Sequence, residues 1–175
     1  MDYTGCQIDA ASVVEVVRLL EGAGIEVWLH GGWGVDALLE EQTRVHKDLD
    51  LIVALSDVPR YQELLAGRGF QMAEGEPPSC FVMADAEARC VDVHPIAWDE
   101  WGNGIYRMEN GEDWVYTASG FAGGGSIAGQ RVRCLTPEYQ MFLCHSGYRL
   151  KEKDFREMEA LHERFGLELV GRPGR

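Results

Sequence analysis

The stretch Gly31-Gly32-Trp33-Gly34-Val35-Asp36-Ala37-Leu38-Leu39-Glu40-Glu41-Gln42-Thr43-Arg44-Val45-His46-Lys47-Asp48-Leu49-Asp50 decides how the rest of the chain is read. The apolar run Ile25 to Leu29 ends at the glycine pair, and Trp33 to Glu40 reads as a short helix. Asp48 to Ala54 (DLDLIVA) alternates and then becomes wholly apolar, the pattern of a strand whose far end is covered on both faces. Asp48 and Asp50 stand two apart on that strand, so their carboxylates project from one face. Two like charges so placed raise each other's pKa, whereas hard oxygen ligands around Mg²⁺ reverse the penalty. Gly31 and Gly32, lacking Cβ atoms, let backbone N–H groups approach a phosphate, and the helix that follows adds a favourable dipole.

A third carboxylate lies further on, at Asp92, inside the apolar strand Cys90-Val91-Asp92-Val93-His94, where an unpaired charge is expensive to bury. With its strand beside that of Asp48 and Asp50, three carboxylates converge on one or two metal ions, as in-line phosphoryl or nucleotidyl transfer requires. The aspartate pair alone reads better as ordinary solvent-face residues. Glycine pair, Asp-x-Asp strand and buried Asp in this order shift the balance to a metal site.

Around this centre the pattern is mixed. Ala10 to Glu21 carries Val13, Val16, Val17 and Leu20 at helical spacing, with Ser12 and Glu15 as a capping box and Gly22 as a stop. Ser56 caps a helix to about Arg68, ended by Gly69; Cys80 to Ala84 and Arg89 to Ile96 form a hairpin around Asp85-Ala86-Glu87-Ala88. Short strands are placed at Ile105 to Met108 and Trp114 to Thr117. The cluster Gly120 to Gly129 (GFAGGGSIAG) lacks the Lys-Ser/Thr ending of a P-loop and reads as a flexible hairpin loop, with Arg131 to Leu135 as the next strand. Thr136-Pro137 starts a helix to about His145, stopped by Gly147. A last helix from about Glu152 carries Phe155, Met158, Leu161 and Phe165 on one stripe, stops at Gly166 and leaves a frayed GRPGR tail. With no internal repeat or linker, residues 1–175 read as a single α+β domain onto which the helices of about 136–166 pack.

Composition limits the partners. At 175 residues and 46% hydrophobic content the chain can bury a real core, and no apolar run approaches the ~20 residues needed to cross a bilayer. The N-terminus has neither the basic region nor the apolar core of a signal peptide, so a cytoplasmic protein without membrane partners is expected. The 29 acidic against 16 basic residues give −13, which disfavours nucleic acid as a partner. Any phosphate the protein handles needs local help from metal ions, backbone N–H groups or a few placed Arg and Lys. Cys6, Cys80, Cys90, Cys134 and Cys144 are odd in number, contain no C-x-x-C pair, and read as reduced core residues.

Gly31-Gly32-Trp33-Gly34-Val35-Asp36-Ala37, Thr43-Arg44, His46 and Asp48-Leu49-Asp50 together resemble the signature of small antibiotic nucleotidyltransferases of the polymerase-β-like superfamily. The likeness is to the short lincosamide nucleotidyltransferases ahead of the aminoglycoside 2″-adenylyltransferases. It extends through Val91-Asp92-Val93-His94-Pro95-Ile96 and into His145-Ser146-Gly147-Tyr148. The resemblance implies a polymerase-β-like nucleotidyltransferase fold, a mixed sheet flanked by helices. It implies that Gly31, Gly32 and Trp33 hold the nucleotide, that Asp48 and Asp50 bind Mg²⁺, two ions in all, and that Asp92 completes the metal site and serves as general base. The co-substrate is then a nucleoside triphosphate, ATP, from which AMP passes to an antibiotic hydroxyl with release of pyrophosphate. The chain departs from the pattern at His30, where an acidic residue is expected, and in the glycine-rich segment 120–129.

Other residues carry two readings. Arg44 and Lys47 either neutralise the triphosphate or lie on a solvated loop; His46 and His94 either order the site or are plain loop and strand residues. His145 and Tyr148 sit near a helix end, where capping or packing competes with ligand contact. Among Trp98, Trp101, Tyr106, Trp114 and Tyr116, which can wall a pocket for a bulky acceptor, Trp101, Tyr106 and Tyr116 are the first choices. Glu74, Glu76, Asp85 and Glu87 would suit a polycationic aminoglycoside, the alternative acceptor, whereas the Trp and Tyr density after Asp92 suits a lincosamide. A noncatalytic, antitoxin-like binding module is the alternative from another class; three mutually repelling carboxylates argue against it. A homodimer with the acceptor near the interface is a further expectation.

Overall fold

The computed structural model describes residues 5–108, 110–146 and 150–169. Helix α1 (Ala10–Gly22) buries Val13, Val16, Val17 and Leu20, the predicted stripe. Its cap is Asp9, whose carboxylate accepts from the Ser12 N–H at 2.8 Å, so the Ser12/Glu15 capping box is corrected by one turn. Then come β1 (Val27–His30), α2 (Gly31–Leu39), β2 (Asp48–Ala54), a short 3₁₀ turn at Leu55–Asp57 and α3 (Val58–Ala66). The glycine pair forms the first turn of α2 instead of preceding it.

Strands β3 (Gln71–Gly75), β4 (Phe81–Ala84), β5 (Cys90–Trp98), β6 (Gly104–Arg107) and β7 (Asp113–Tyr116) follow. The polar edge strand β3, with Met72 and Glu74 exposed, shows no apolar alternation and escapes the sequence pattern. The sheet order is β1-β2-β5-β4-β3, with β6 joined to the far end of β5 and β7 to β6. The β2–β5 pair is parallel and its neighbours antiparallel, a mixed sheet flanked by helices.

Residue alternation sorts the two faces of this sheet. Leu49, Leu51, Val53, Val91 and Val93 point into a core shared with Val13, Val17, Leu20, Tyr61 and Leu65 of α1 and α3. On the opposite face stand Asp48, Asp50, Asp92 and His94, continued by Ile52 and Ile96, which join Trp28, Tyr106, Tyr116, Leu135 and Tyr139 in a second core. That second core lies under the apolar end of β2 and covers it, as the sequence of the strand suggests.

The glycine-rich segment is ordered. After a 3₁₀ turn at Ala118–Ala122, β8 (Gly124–Ile127) pairs antiparallel with β9 (Gln130–Arg133), so the hairpin is present but is no flexible loop. It packs on α2, where Gly125 is buried and a Cβ would run into the Ala37 carbonyl. Helix α4 (Pro137–Ser146) starts after Thr136, whose hydroxyl accepts from the Tyr139 N–H at 3.4 Å, and α5 (Glu152–Phe165) ends at Gly166 in the left-handed region. Met158 and Leu161 of the predicted stripe are buried, while Phe165 is exposed. The expected stop at Gly147 and the tail Gly171 to Arg175 lie outside the described residues.

The cysteine reading is corrected in part. The Gln7 N–H donates to the Ala88 carbonyl and Ile8 bridges His46, which carries the N-terminal segment along β5 and brings Cys6 to Cys90, the two joined in a disulfide. Cys80, Cys134 and Cys144 are free thiols.

Gly125→Ala is expected to destabilise the protein by about 2 kcal/mol, because backbone of α2 must move to admit the methyl group. At roughly 2–4 °C per kcal/mol for a chain of this size, the melting temperature falls by about 4–8 °C. Exposed Gly124→Ala, where a Cβ meets only ordinary contacts, serves as the control and shifts it little. Equal melting of both variants and wild type in calorimetry would refute this packing.

Candidate active site

Parallel pairing of β2 with β5 sets Asp50 directly opposite Asp92, on the same face as Asp48. Three carboxylates from two strands therefore share one patch of sheet. Burial, then the charge of Asp48, then that of Asp92 push the Asp50 carboxyl well above its usual range, against the opposing pull of Lys153. Asp92 is pushed up to about 6, first by burial, then by Asp48 and Glu74. Its Oδ1 is buried without a hydrogen-bond partner; the nearest imidazole nitrogen, His94 Nε2, is 3.7 Å away. Such a cluster of carboxylate oxygens is a donor set that suits Mg²⁺.

The glycines shape the ground beneath it. Gly31 has φ +57°, and a Cβ there would collide with the Asp50 carboxylate. The first turn of α2 thus lies against Asp50, and His30, its N-cap residue, makes no side-chain cap bond to the N–H groups of that turn. Gly32 makes room of its own: a Cβ there would strike the His46 ring and the Arg44 guanidinium. Its bare Cα admits the loop that follows α2. That loop is clipped down by buried Asp36, which pairs with His46 Nε2 at 2.5 Å and accepts from Thr43 Oγ1 at 2.6 Å. His46 therefore orders the site from beneath. Gly34 likewise makes room for the buried Gln140 side chain of α4.

A cleft of about 1060 Å³ opens over this floor. His30, Gly31, Gly32, Asp48, Asp50 and His94 line its base; Arg44, Lys47, Lys151 and Lys153 give it positive charge; Met108, Trp114, Tyr116 and Leu143 give it an apolar wall. Arg44 is held by Glu157 of α5, with Nη2 to Oε1 at 2.6 Å and Nε to Oε1 at 3.1 Å. Lys151, Lys153, Glu157 and Gln140 escaped the sequence reading. The run Lys151-Glu152-Lys153, basic in a chain of −13, was the available signal for the two lysines.

The expected site residues are not all brought together. Asp92 belongs to the carboxylate patch but is not itself among the residues lining the cleft. Trp33, expected at the nucleotide, is fully buried with its ring 4.5 Å from that of His46, and offers no surface to a ligand. Trp101 stands 72% exposed at the β5–β6 turn, and neither it nor exposed His145 lines the cleft. Tyr106 is buried beneath the site, its ring 5.6 Å from that of His94 and its hydroxyl accepting from the Cys80 N–H at 3.2 Å. Tyr116 lines the wall. Tyr148 lies outside the described residues. None of Glu74, Glu76, Asp85 and Glu87 reaches the cleft; Asp85 instead closes the β4–β5 turn, accepting from Arg89.

Elevation of the Asp92 carboxyl makes a pH-resolved prediction for metal-free protein. Between its ordinary value of 3.8 and about 6 the folded state holds more protons than the unfolded state, so this group costs stability as pH rises through that window. His94, held down to about 4 by burial, contributes with the opposite sign, so the wild-type profile alone does not isolate Asp92. The stability gain of Asp92→Asn over wild type is expected to be small near pH 4 and to grow to about 3 kcal/mol above pH 6. Denaturant titrations of both proteins across this range check it; a pH-independent difference would contradict it.

Comparison with known proteins places this geometry. The chain is 28% identical over 146 residues to a lincosamide resistance protein of Staphylococcus haemolyticus, covering 83% of this chain and 89% of that one. It is 27% identical over 133 residues to a 2″-aminoglycoside nucleotidyltransferase of Escherichia coli, covering 73% and 69%. Among solved structures it resembles the lincomycin-bound lincosamide antibiotic adenylyltransferase LnuA, with a TM-score of 0.78 and 26% identity over 89% of this chain and 97% of that one. The structure of ANT(2″)-Ia with adenylyl-2″-tobramycin, at TM-score 0.69 and 19% identity over 90% and 89% of the chains, shares the nucleotidyltransferase fold. Residues 12–161 match the aminoglycoside-2″-adenylyltransferase family, and the chain belongs to it.

Proposed function

We propose that this protein transfers AMP from ATP to a hydroxyl group of a lincosamide antibiotic and releases pyrophosphate. The observation that carries the reading is the register that sets Asp50 opposite Asp92, beside Asp48, at a cleft whose lining includes Lys47, Lys151 and Lys153 together with the apolar Met108, Trp114, Tyr116 and Leu143. Asp48, Asp50 and Asp92 would hold Mg²⁺; the raised carboxyls of Asp50 and Asp92 and the unpartnered Asp92 Oδ1 fit a divalent cation. When bound, Mg²⁺ supplies Lewis-acid polarisation of the phosphate and neutralises charge on the departing pyrophosphate.

The chain's own groups do the rest. Lys47, Lys151 and Lys153, with the first-turn N–H groups of α2, attract and orient the triphosphate in an otherwise acidic protein. Asp92, about 6 in the free protein and therefore mostly ionised at neutral pH, accepts the proton of the acceptor hydroxyl. The hydroxyl oxygen forms its bond to the α-phosphorus as the bond to the bridging oxygen of pyrophosphate breaks, with no covalent enzyme intermediate. Met108, Trp114, Tyr116 and Leu143 suit an acceptor with apolar parts.

A second reading has an aminoglycoside as the acceptor, favoured by the family description and by Glu112 and Asp154 on the cleft rim. Against it, the acidic stretch that would bind a polycation, Glu74 to Glu87, lies outside the cleft. The readings part on salt. A monocationic lincosamide held by apolar contact is expected to show a KM that changes less than about threefold between about 50 and 300 mM salt, while a polycation weakens steeply. Mass spectrometry of lincomycin, clindamycin, kanamycin and gentamicin after incubation with each triphosphate and Mg²⁺ decides between them. Modification of the aminoglycosides alone would overturn the acceptor and leave the chemistry.

Two substitutions test the machinery. Asp48→Asn or Asp50→Asn is expected to lower turnover more than about a hundredfold with the fold intact; activity within about tenfold of wild type would contradict their role. Asp92→Asn is expected to lower kcat by about 10²–10⁴ and to weaken nucleotide binding far less. Lost affinity with kcat preserved would make Asp92 a metal ligand alone.

A further inference from the structure

Two imidazoles at the cleft floor, His30 buried and His94 half-buried, are unused by the reaction described above. Antiparallel pairing sets His30, the last residue of β1, opposite Asp50, and His94 lies two residues beyond Asp92 on the same face of β5. The two rings meet edge to face at 4.5 Å between centroids. One nitrogen from each ring and a carboxylate oxygen of Asp50 all lie within 4.8 Å of one another. His30 is only 8% exposed, its Nε2 is buried with no hydrogen-bond partner, and His94 Nδ1 is in the same position. Buried imidazole nitrogens normally find a partner. Here two that lack one flank a carboxylate on the floor of an open cleft.

We propose that His30, Asp50 and His94 bind a first-row transition ion of the Zn²⁺ class, at a site chemically distinct from the all-carboxylate Mg²⁺ position. Two imidazoles and one carboxylate suit Zn²⁺ or Co²⁺, whereas Mg²⁺ takes oxygen ligands and dehydrates reluctantly. Three protein ligands leave coordination positions open towards the cleft, because all three residues line it. Asp50 is common to both sets, so an ion held by the histidines draws Asp50 away from Mg²⁺. Zn²⁺ then inhibits turnover by competing with Mg²⁺; that consequence rests on the nucleotidyl-transfer reading, and the binding itself does not.

The test is a titration of the full, metal-stripped chain with Zn²⁺ by calorimetry and with Co²⁺ by visible absorption, each in excess Mg²⁺. One equivalent is expected to bind, with ligand-field bands for Co²⁺ and changed ring ¹⁵N shifts of His30 and His94 in the wild-type protein. His30→Asn and His94→Asn are each expected to weaken binding by at least about tenfold, whereas Asp48→Asn, which removes a ligand of the competing Mg²⁺ alone, does not weaken it. The ring shifts need no variant, so a substitution that fails to fold leaves the test standing. No Zn²⁺ binding up to about 100 μM, or binding with unmoved His30 and His94 signals, as capture by Cys80, Cys144, His145 or His162 would give, overturns the proposal. Zn²⁺ bound at this site without effect on turnover would count against the shared role of Asp50 and leave the site itself intact.

Discussion

Mutual repulsion of Asp48, Asp50 and Asp92 is the constraint around which this protein is arranged. Sheet pairing forces the three carboxylates together, and burial prevents water from separating their charges, so Asp50 and Asp92 both resist ionisation. A fold that carries such a patch is less stable in the metal-free state than one without it. On the proposed reading the surrounding residues serve a cation and a polyanion: the first turn of α2, Lys47 at the end of a clipped loop, and Lys151 and Lys153 at the start of the facing helix α5. Each places positive potential where the chain as a whole, at −13, has none to offer.

Rigidity beneath the site comes from a second set of contacts that never meets a ligand. Asp36, His46 and Thr43 fasten the α2–β2 loop, Trp33 packs on His46, and Gly32 leaves the space they need. The hairpin of β8 and β9 backs α2 from the other side through close contact at Gly125. Since α2 contacts β1, β2, α4 and α5, its position couples the carboxylate strand to the helices that supply Gln140, Lys153 and Glu157. Arg44, tied to Glu157, links the loop to α5 directly.

Legibility of this arrangement in the sequence follows how local each signal is. Strand β2 was readable to its end residues, since DLDLIVA encodes both an alternating face and a covered end, and Asp92 stood out as a charge in an apolar run. Asp9 is hard to single out as the cap because Ser12 with Glu15 satisfies the same pattern one turn later. Strand β3 was missed because an edge strand with a solvated surface needs no alternation. Trp33 was misplaced for a related reason: adjacency to the glycine pair says nothing about which way a helical side chain points, and this one points into the core. Lys153, Glu157 and Gln140 reach the site only through tertiary packing of α4 and α5, about a hundred residues from Asp48, and the disulfide depends on the course of the N-terminal segment along β5.

The carboxylate patch as a metal-dependent nucleotide site is tested most directly by calorimetric binding of a nonhydrolysable ATP analogue, with and without Mg²⁺, near pH 7.5. Affinity is expected to be at least about tenfold higher with Mg²⁺, about 1.4 kcal/mol or more, and to lose that gain when Asp48 is replaced by Asn. Equal affinity with and without Mg²⁺ in the wild-type protein would contradict the assignment.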